Sequence, residues 1–228
     1  MRRTLGVMGA VALLGTALPA QAQQSRAVFA VLPFENSGSY GQDKEVFEAL
    51  GLGIPAMLGG ALARHPGAGA AEPRRVAQAL AGLGLGPGQR IDAAGAARAA
   101  SAAGARYAVT GSFSDFYGKL RVNARVVDAQ SGEILKVVAN DDARSQDRAQ
   151  LSVIVDQVSD KIAAAAGLPQ DGGAAADVPT EAIVDFSRGL LYESRGDVAK
   201  AMDFFQRAVT AAPGFQEAQA GLQRARGR

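Results

Sequence analysis

This sequence predicts an α/β chain of the α+β kind: a three-layer-type sheet with helices around a central antiparallel β-meander, then a small all-helical hairpin. Three observations carry that reading. Residues 106–139, RYAVTGSFSDFYGKLRVNARVVDAQSGEILKVVA, hold three runs rich in Val, Tyr, Phe, Ile and Leu, at 107–113, 120–128 and 133–139. Each run closes in turn chemistry, at 114–118 and 129–132, with a Gly where positive φ is needed. Apolar residues then recur at steps of three and four before and after that stretch, which is helical spacing. Finally, the composition of residues 170–179, QDGGAAADVP, is that of a linker, and helical periodicity resumes beyond it.

In chain order, residues 1–22 read as a secretory signal peptide. Arg2 and Arg3 form the positive start, residues 5–18 the apolar core, and Ala20-Gln21-Ala22 the cleavage site. The apolar core is shorter than the roughly 20 residues of a membrane span. The chain contains no cysteine, so neither a lipid-modified cysteine nor a disulfide is expected. The expected location is the periplasm. Residues 23–168 form the sheet domain, 169–179 the linker and 180–228 the helical hairpin with a capping helix.

Within the sheet domain, residues 28–34 are nearly all apolar, as in a strand covered on both faces, with Pro33 late in it. Residues 36–42 read as a polar loop. A helix follows over 43–64 with Val46, Phe47, Leu50, Ile54, Met57, Leu58 and Leu62 at helical steps, and Pro55 is expected to kink or split it. Residues 68–71 can hold a short strand and 72–83 a second helix, before the Gly-rich run at 82–88. Asp92 is placed to cap an Ala-rich third helix ending near Gly104. In the middle strand of the meander Leu120, Val122, Ala124 and Val126 share one face and Arg121, Asn123 and Arg125 the other, so a one-residue slip would bury both arginines. After the meander, Leu151, Ile154, Val155, Val158 and Ile162 trace a fourth helix.

The pattern Y-x-V-T-G-S-F followed by L-R-V-N-A-R-V-V-D-A-Q-S-G-E-I-L resembles the hallmark hairpin of CsgG and TolB-N-like periplasmic domains. The opening AVFAVLPFEN and the stretch GLGIPAMLGGALAR are similar to their first strand and helix. Residues 182–215 resemble one 34-residue tetratricopeptide repeat, with packing positions at Gly189, Tyr192, Gly196, Ala201, Phe205, Ala208 and Pro213. Asp185 and Arg188 stand where that repeat carries large apolar residues. The resemblance implies an assembly or transport role of the curli type. The spanning hairpins of the CsgG pore are missing, because each would need upward of about 20 residues, so no pore is expected.

Charge points to no polyanion. The formal charge of +2 comes from 24 basic and 22 acidic residues; losing Arg2 and Arg3 leaves 22 against 22, so charge points to no nucleic-acid or membrane partner, and the short apolar core leaves no integral membrane span expected. Chemistry is sparse too. GLGIPA at 51–56 matches G-x-G-x-x-A but sits in a helical pattern rather than after a strand. His65 is the only histidine and is expected in solvent, while Asp141, Asp142 and Asp147 read as a solvated loop. No catalytic, metal or cofactor site is expected, and the chain reads as no enzyme. The expected function is protein interaction in the cell envelope; a ring-forming export component and a ligand-sensing module are the alternatives. Ile183, Phe186, Leu190 and Glu193 are the expected partner-facing residues, either for a partner segment or for packing against the N-terminal domain or a second copy of the chain.

Overall fold

The computed structural model describes residues 26–227 apart from 42, 87–88, 143–145 and 173–176. The signal-peptide reading of residues 1–22 lies outside them. A six-stranded open sheet is the centre. Strands β1 (Ala27–Val31), β3 (Ala68–Ala70) and β4 (Tyr107–Phe116) are parallel, and β4, β5 (Lys119–Asp128) and β6 (Ile134–Ala139) form the antiparallel meander. The order is β3-β1-β4-β5-β6, and the two-residue β2 (Glu35–Asn36) pairs with β4 alongside β1.

Helices α1 (Lys44–Arg64) and α4 (Leu151–Ala165) cover one face of the sheet. Helices α2 (Pro73–Gly82) and α3 (Ala93–Ala102) cover the other. The period of two divides the strands between these layers. Phe29, Val109, Phe113, Leu120, Val122, Ala124 and Val126 point to α1 and α4, whereas Ala30, Leu32, Ala108 and Val127 point to α2 and α3. Small alanines let α3 lie against the sheet, and Asp92 caps it by accepting from Gly95 N–H at 2.7 Å.

Helix α1 is apolar over most of its surface because most of it is covered. The sheet lies beneath it, and α5 (Thr180–Ser194), α6 (Val198–Ala211) and α7 (Gln216–Arg226) stack above. By length and composition α1 would also span a bilayer, yet 67% of its most apolar window is buried inside the protein. Of the two outcomes expected at Pro55, a split does not occur: the helix runs unbroken through it. A proline there has no N–H to offer the Gly51 carbonyl. That carbonyl accepts instead from Phe34 N–H at 2.9 Å, a donor that leaves the ladder where Pro33 interrupts the path from β1 to β2. A Cβ at Gly51 would stand 2.9 Å from the Phe34 carbonyl, so only glycine permits this approach.

The C-terminal helices are tied down residue by residue. A Cβ on Gly189 would lie 2.5 Å from the Phe205 ring and one on Gly221 2.7 Å from it, so both glycines make room for that buried side chain. Ala201 and Ala208 are fully buried beside it, Tyr192 stacks on Phe204 with centroids 5.4 Å apart, and Pro213 sits in the exposed turn before α7. Asp185 and Arg188 have partners: Arg207 at 3.0 Å and Glu45 of α1 at 3.2 Å. Burial pushes the Asp185 carboxyl up from its ordinary range, against the pull of Arg207 and Arg188. Glu217 is raised for the same reason, its carboxyl pressed onto α1 at Gly60.

Candidate protein-interaction surface

Strand β4 runs three residues further than its apolar pattern suggests and ends in a two-residue hairpin. Phe116 pairs with Lys119, so the turn is Tyr117-Gly118 rather than the expected five-residue loop. Both turn residues have positive φ, 51° for Tyr117 and 88° for Gly118. That combination is the type I′ turn whose twist matches flanking strands, and it usually takes Asn or Gly first. A tyrosine in the left-handed region is strained by about 1–2 kcal/mol, so the surroundings must hold it there.

Two neighbouring segments do so. The Asp115 side chain, fully buried, accepts from Gly118 N–H at 2.8 Å with one oxygen and from Arg148 Nη1 at 2.5 Å with the other. Arg148 N–H donates to the Gly118 carbonyl and Leu120 N–H to the Gln146 carbonyl. From the other side, Asp115 N–H donates to Ser39 Oγ at 2.9 Å and its carbonyl accepts from Tyr40 N–H at 2.7 Å. A charge-assisted, buried pair of this kind fixes geometry strongly.

On this braced tip three aromatic rings face solvent: Tyr40 and Phe116 are each 58% exposed and Tyr117 74%. Tyr40 meets Phe116 edge-on with centroids 5.6 Å apart, and Phe116 meets Tyr117 at 5.1 Å and 90°. The rings are the only exposed aromatics among the described large hydrophobic residues, and they form one patch. Aromatic anchors on a rigid backbone are the residues that carry binding energy at protein interfaces, because little conformational freedom remains to be lost.

The residues expected to face a partner lie elsewhere. Ile183 and Phe186 are buried, Phe186 with its ring 4.9 Å from Phe215 and 6.0 Å from Phe205. Leu190 packs against the same core, and Glu193 accepts from Arg224 at 3.2 Å. Their apolar groups are filled by this chain's own helices, so this face is not open to a partner segment. His65 is also relocated: it is 2% exposed, with Nδ1 3.1 Å from the Pro169 carbonyl and Nε2 3.4 Å from Ser159 Oγ. Asp141 is held by Lys161, whose ammonium keeps its carboxyl below the usual range. Asp147 accepts from Ala149 N–H, and no cluster of three metal-ligating side chains occurs among the described residues.

Nothing in the chain's spacing singled out the tip, since Phe116 and Tyr117 read there as ordinary turn residues. One signal was present: a bulky aromatic directly before Gly118, in a place that Asn or Gly normally fills.

No family model matches the chain and no curated protein matches it. Among solved structures it is similar to the LpoB C-terminal domain from Salmonella enterica, with 20% identity and a TM-score of 0.41, covering 53% of this chain and 85% of that one. The LpoB C-terminal domain from Escherichia coli gives 21% identity and a TM-score of 0.40, covering 54% and 86%. The NMR structure of E. coli LpoB gives 19%, 0.41, 61% and 78%. The resemblance to CsgG, TolB-N and the tetratricopeptide repeat is therefore corrected, and the curli reading goes with it: no model of those families matches, and the solved neighbours are LpoB domains. The misleading motifs have local physical causes. The V-D-A-Q-S-G-E run is a turn in which Asp128 accepts from Gln130 and Ser131 N–H and Gly132 takes φ 75°, while Gly189 leaves room for the Phe205 ring and Gly196 takes φ 80° between α5 and α6.

Proposed function

We propose that this chain is a non-catalytic protein-interaction module of the cell envelope, working in the periplasm, and that the aromatic hairpin tip is its contact surface. The observation that carries the reading is Tyr40, Phe116 and Tyr117 standing together in solvent on a backbone clamped by buried Asp115. A strained tyrosine costs stability, and the fold gains nothing in return from a side chain that is 74% exposed. Such strain at an exposed position supports a functional use. The charged N-terminus, apolar core and small-x-small site of residues 1–22 support the location.

The test is the double variant Phe116→Ser, Tyr117→Asn, because asparagine accepts the left-handed conformation at little cost. The variant is expected to melt within a few degrees of the native protein, since relief at position 117 offsets about 1 kcal/mol elsewhere. Proteins crosslinked to the chain in the envelope and quantified by mass spectrometry should fall at least tenfold. Undiminished recovery of the same proteins by a folded variant contradicts the proposal.

A further inference from the structure

Strand β6 is the outer strand of the sheet, and apart from Lys136 it is apolar where solvent reaches it. Ile134, Leu135 and Val137 are 48%, 42% and 59% exposed, and only Val138 and Ala139 are covered. The direction of its main-chain groups follows from the ladder. Asn140 N–H donates to the Val122 carbonyl, and antiparallel pairs alternate. Lys136 and Val138 therefore bond to β5, and the N–H and C=O of Val137 point off the open edge. The next outward carbonyl, that of Ala139, is already taken by Lys161 Nζ at 2.5 Å. Leu135 has no partner on β5, because the register shifts there between Val126 and Val127.

A cleft of about 350 Å³ runs beside this edge, between β6 and α4, and Lys136, Val138, Lys161 and Ala164 line it. Lys136 and Lys161 are its positive lining and Asp141 its negative one; on the other face of the sheet Arg125 stands beside Val137 and Arg121 is exposed further along β5. The opposing carboxylates are Asp141, which Lys161 holds, and Glu133 before the strand.

We infer that the open edge of β6 accepts an extended, acidic strand from another protein, adding it to the sheet at residues 134–138. Strand addition of this type takes its affinity from main-chain hydrogen bonds and its specificity from alternate side chains. Lys136 and the register shift are also devices that guard an edge against indiscriminate pairing, and here they act as a filter. A second copy of this chain fits poorly. Antiparallel self-pairing centred on Lys136 sets two lysines directly opposite each other, and like charges so placed destabilise a sheet; self-pairing centred on Val137 brings Leu135 N–H to the Ala139 carbonyl, which already accepts from Lys161. An acidic side chain at that position forms a pair instead.

The probe is a synthetic octapeptide in which Val alternates with Glu, compared with one in which Lys replaces Glu. Fluorescence anisotropy should give the acidic peptide at least tenfold tighter binding, weakening with salt, with slower hydrogen exchange at residues 134–138. Lys136→Glu should reverse the preference. Val137→Pro, which removes an outward N–H without touching the bonds to β5, should reduce binding at least tenfold; if it unfolds the protein, N-methylation of the peptide amides facing β6 gives the same readout. No binding at millimolar peptide, or equal binding of both peptides, overturns the inference. So does a concentration-dependent dimer in mass photometry that Val137→Pro abolishes, since β6 would then serve a second copy.

Discussion

A Gly53→Val variant is expected to lift α5 off α1 and lower the melting temperature by roughly 6–12 °C, using about 2–4 °C per kcal/mol for a chain of this length. A Cβ at position 53 would sit 1.8 Å from Ser187 Oγ, 2.7 Å from its Cβ and 3.3 Å from its Cα. Rotating the hydroxyl relieves only the first of these. The helix axes must separate, and overpacking of that size costs about 3 kcal/mol. Hydrogen exchange should show the loss in α5 rather than in the meander, because the seam between α1 and α5 joins those helices directly. Gly53→Ala should do the same more mildly, and adding Ser187→Gly should recover most of the loss, since the two positions are in contact and their effects are not additive. A Gly53→Val protein with native melting and native protection in α5 would show that the helices do not pack as described.

Removing the Asp115 side chain is expected to cost about 3 kcal/mol and to release the hairpin tip. Asp115→Ala takes away the acceptor of Gly118 N–H and the buried partner of Arg148. Because the Arg148 side chain keeps 24% of its exposure, water recovers part of its solvation, which places the cost at the low end for a broken buried pair. Tyr117 then loses the restraint that holds it at φ 51°, and exchange at Gly118 and Leu120 should quicken well before the sheet opens. Asp115→Asn keeps an acceptor for Gly118 and should lose about half as much. If Asp115→Ala melts like the native protein, the tip is not held from beneath.

Much of this architecture is legible in the residues because local chemistry and burial agree. The alternation of β5, the cap at Asp92 and the stop at Gly132 each specify one outcome, and each is observed. The helix over 43–64 was legible as a helix. What periodicity alone does not tell is that a helix apolar over most of its surface is covered from two sides, or that a carbonyl left free by Pro55 meets a donor left free by Pro33. Strand β2 escaped notice because two polar residues, Glu35 and Asn36, carry no strand signal; their pairing comes from β4 alongside. The same limit governs the candidate surfaces. Ile183 and Phe186 are apolar for packing on α1, α6 and α7, and apolar spacing on a helix does not distinguish an inner contact from an outer one. The tip depends on Tyr40, Phe116 and Tyr117 meeting across 77 residues of sequence, since 117 minus 40 is 77. The order of the sheet creates that meeting.

The braced aromatic tip is proposed as the place where this protein touches another. A photo-crosslinking phenylalanine analogue at position 117, in the full chain expressed in its native cell, is the direct test, with exposed Gln78 on α2 as the comparison site. Discrete protein adducts are expected at 117, lost in Phe116→Ser, and none of these at 78. Equal labelling at both positions, or adducts at 117 that persist when Phe116 is replaced, would contradict that placement.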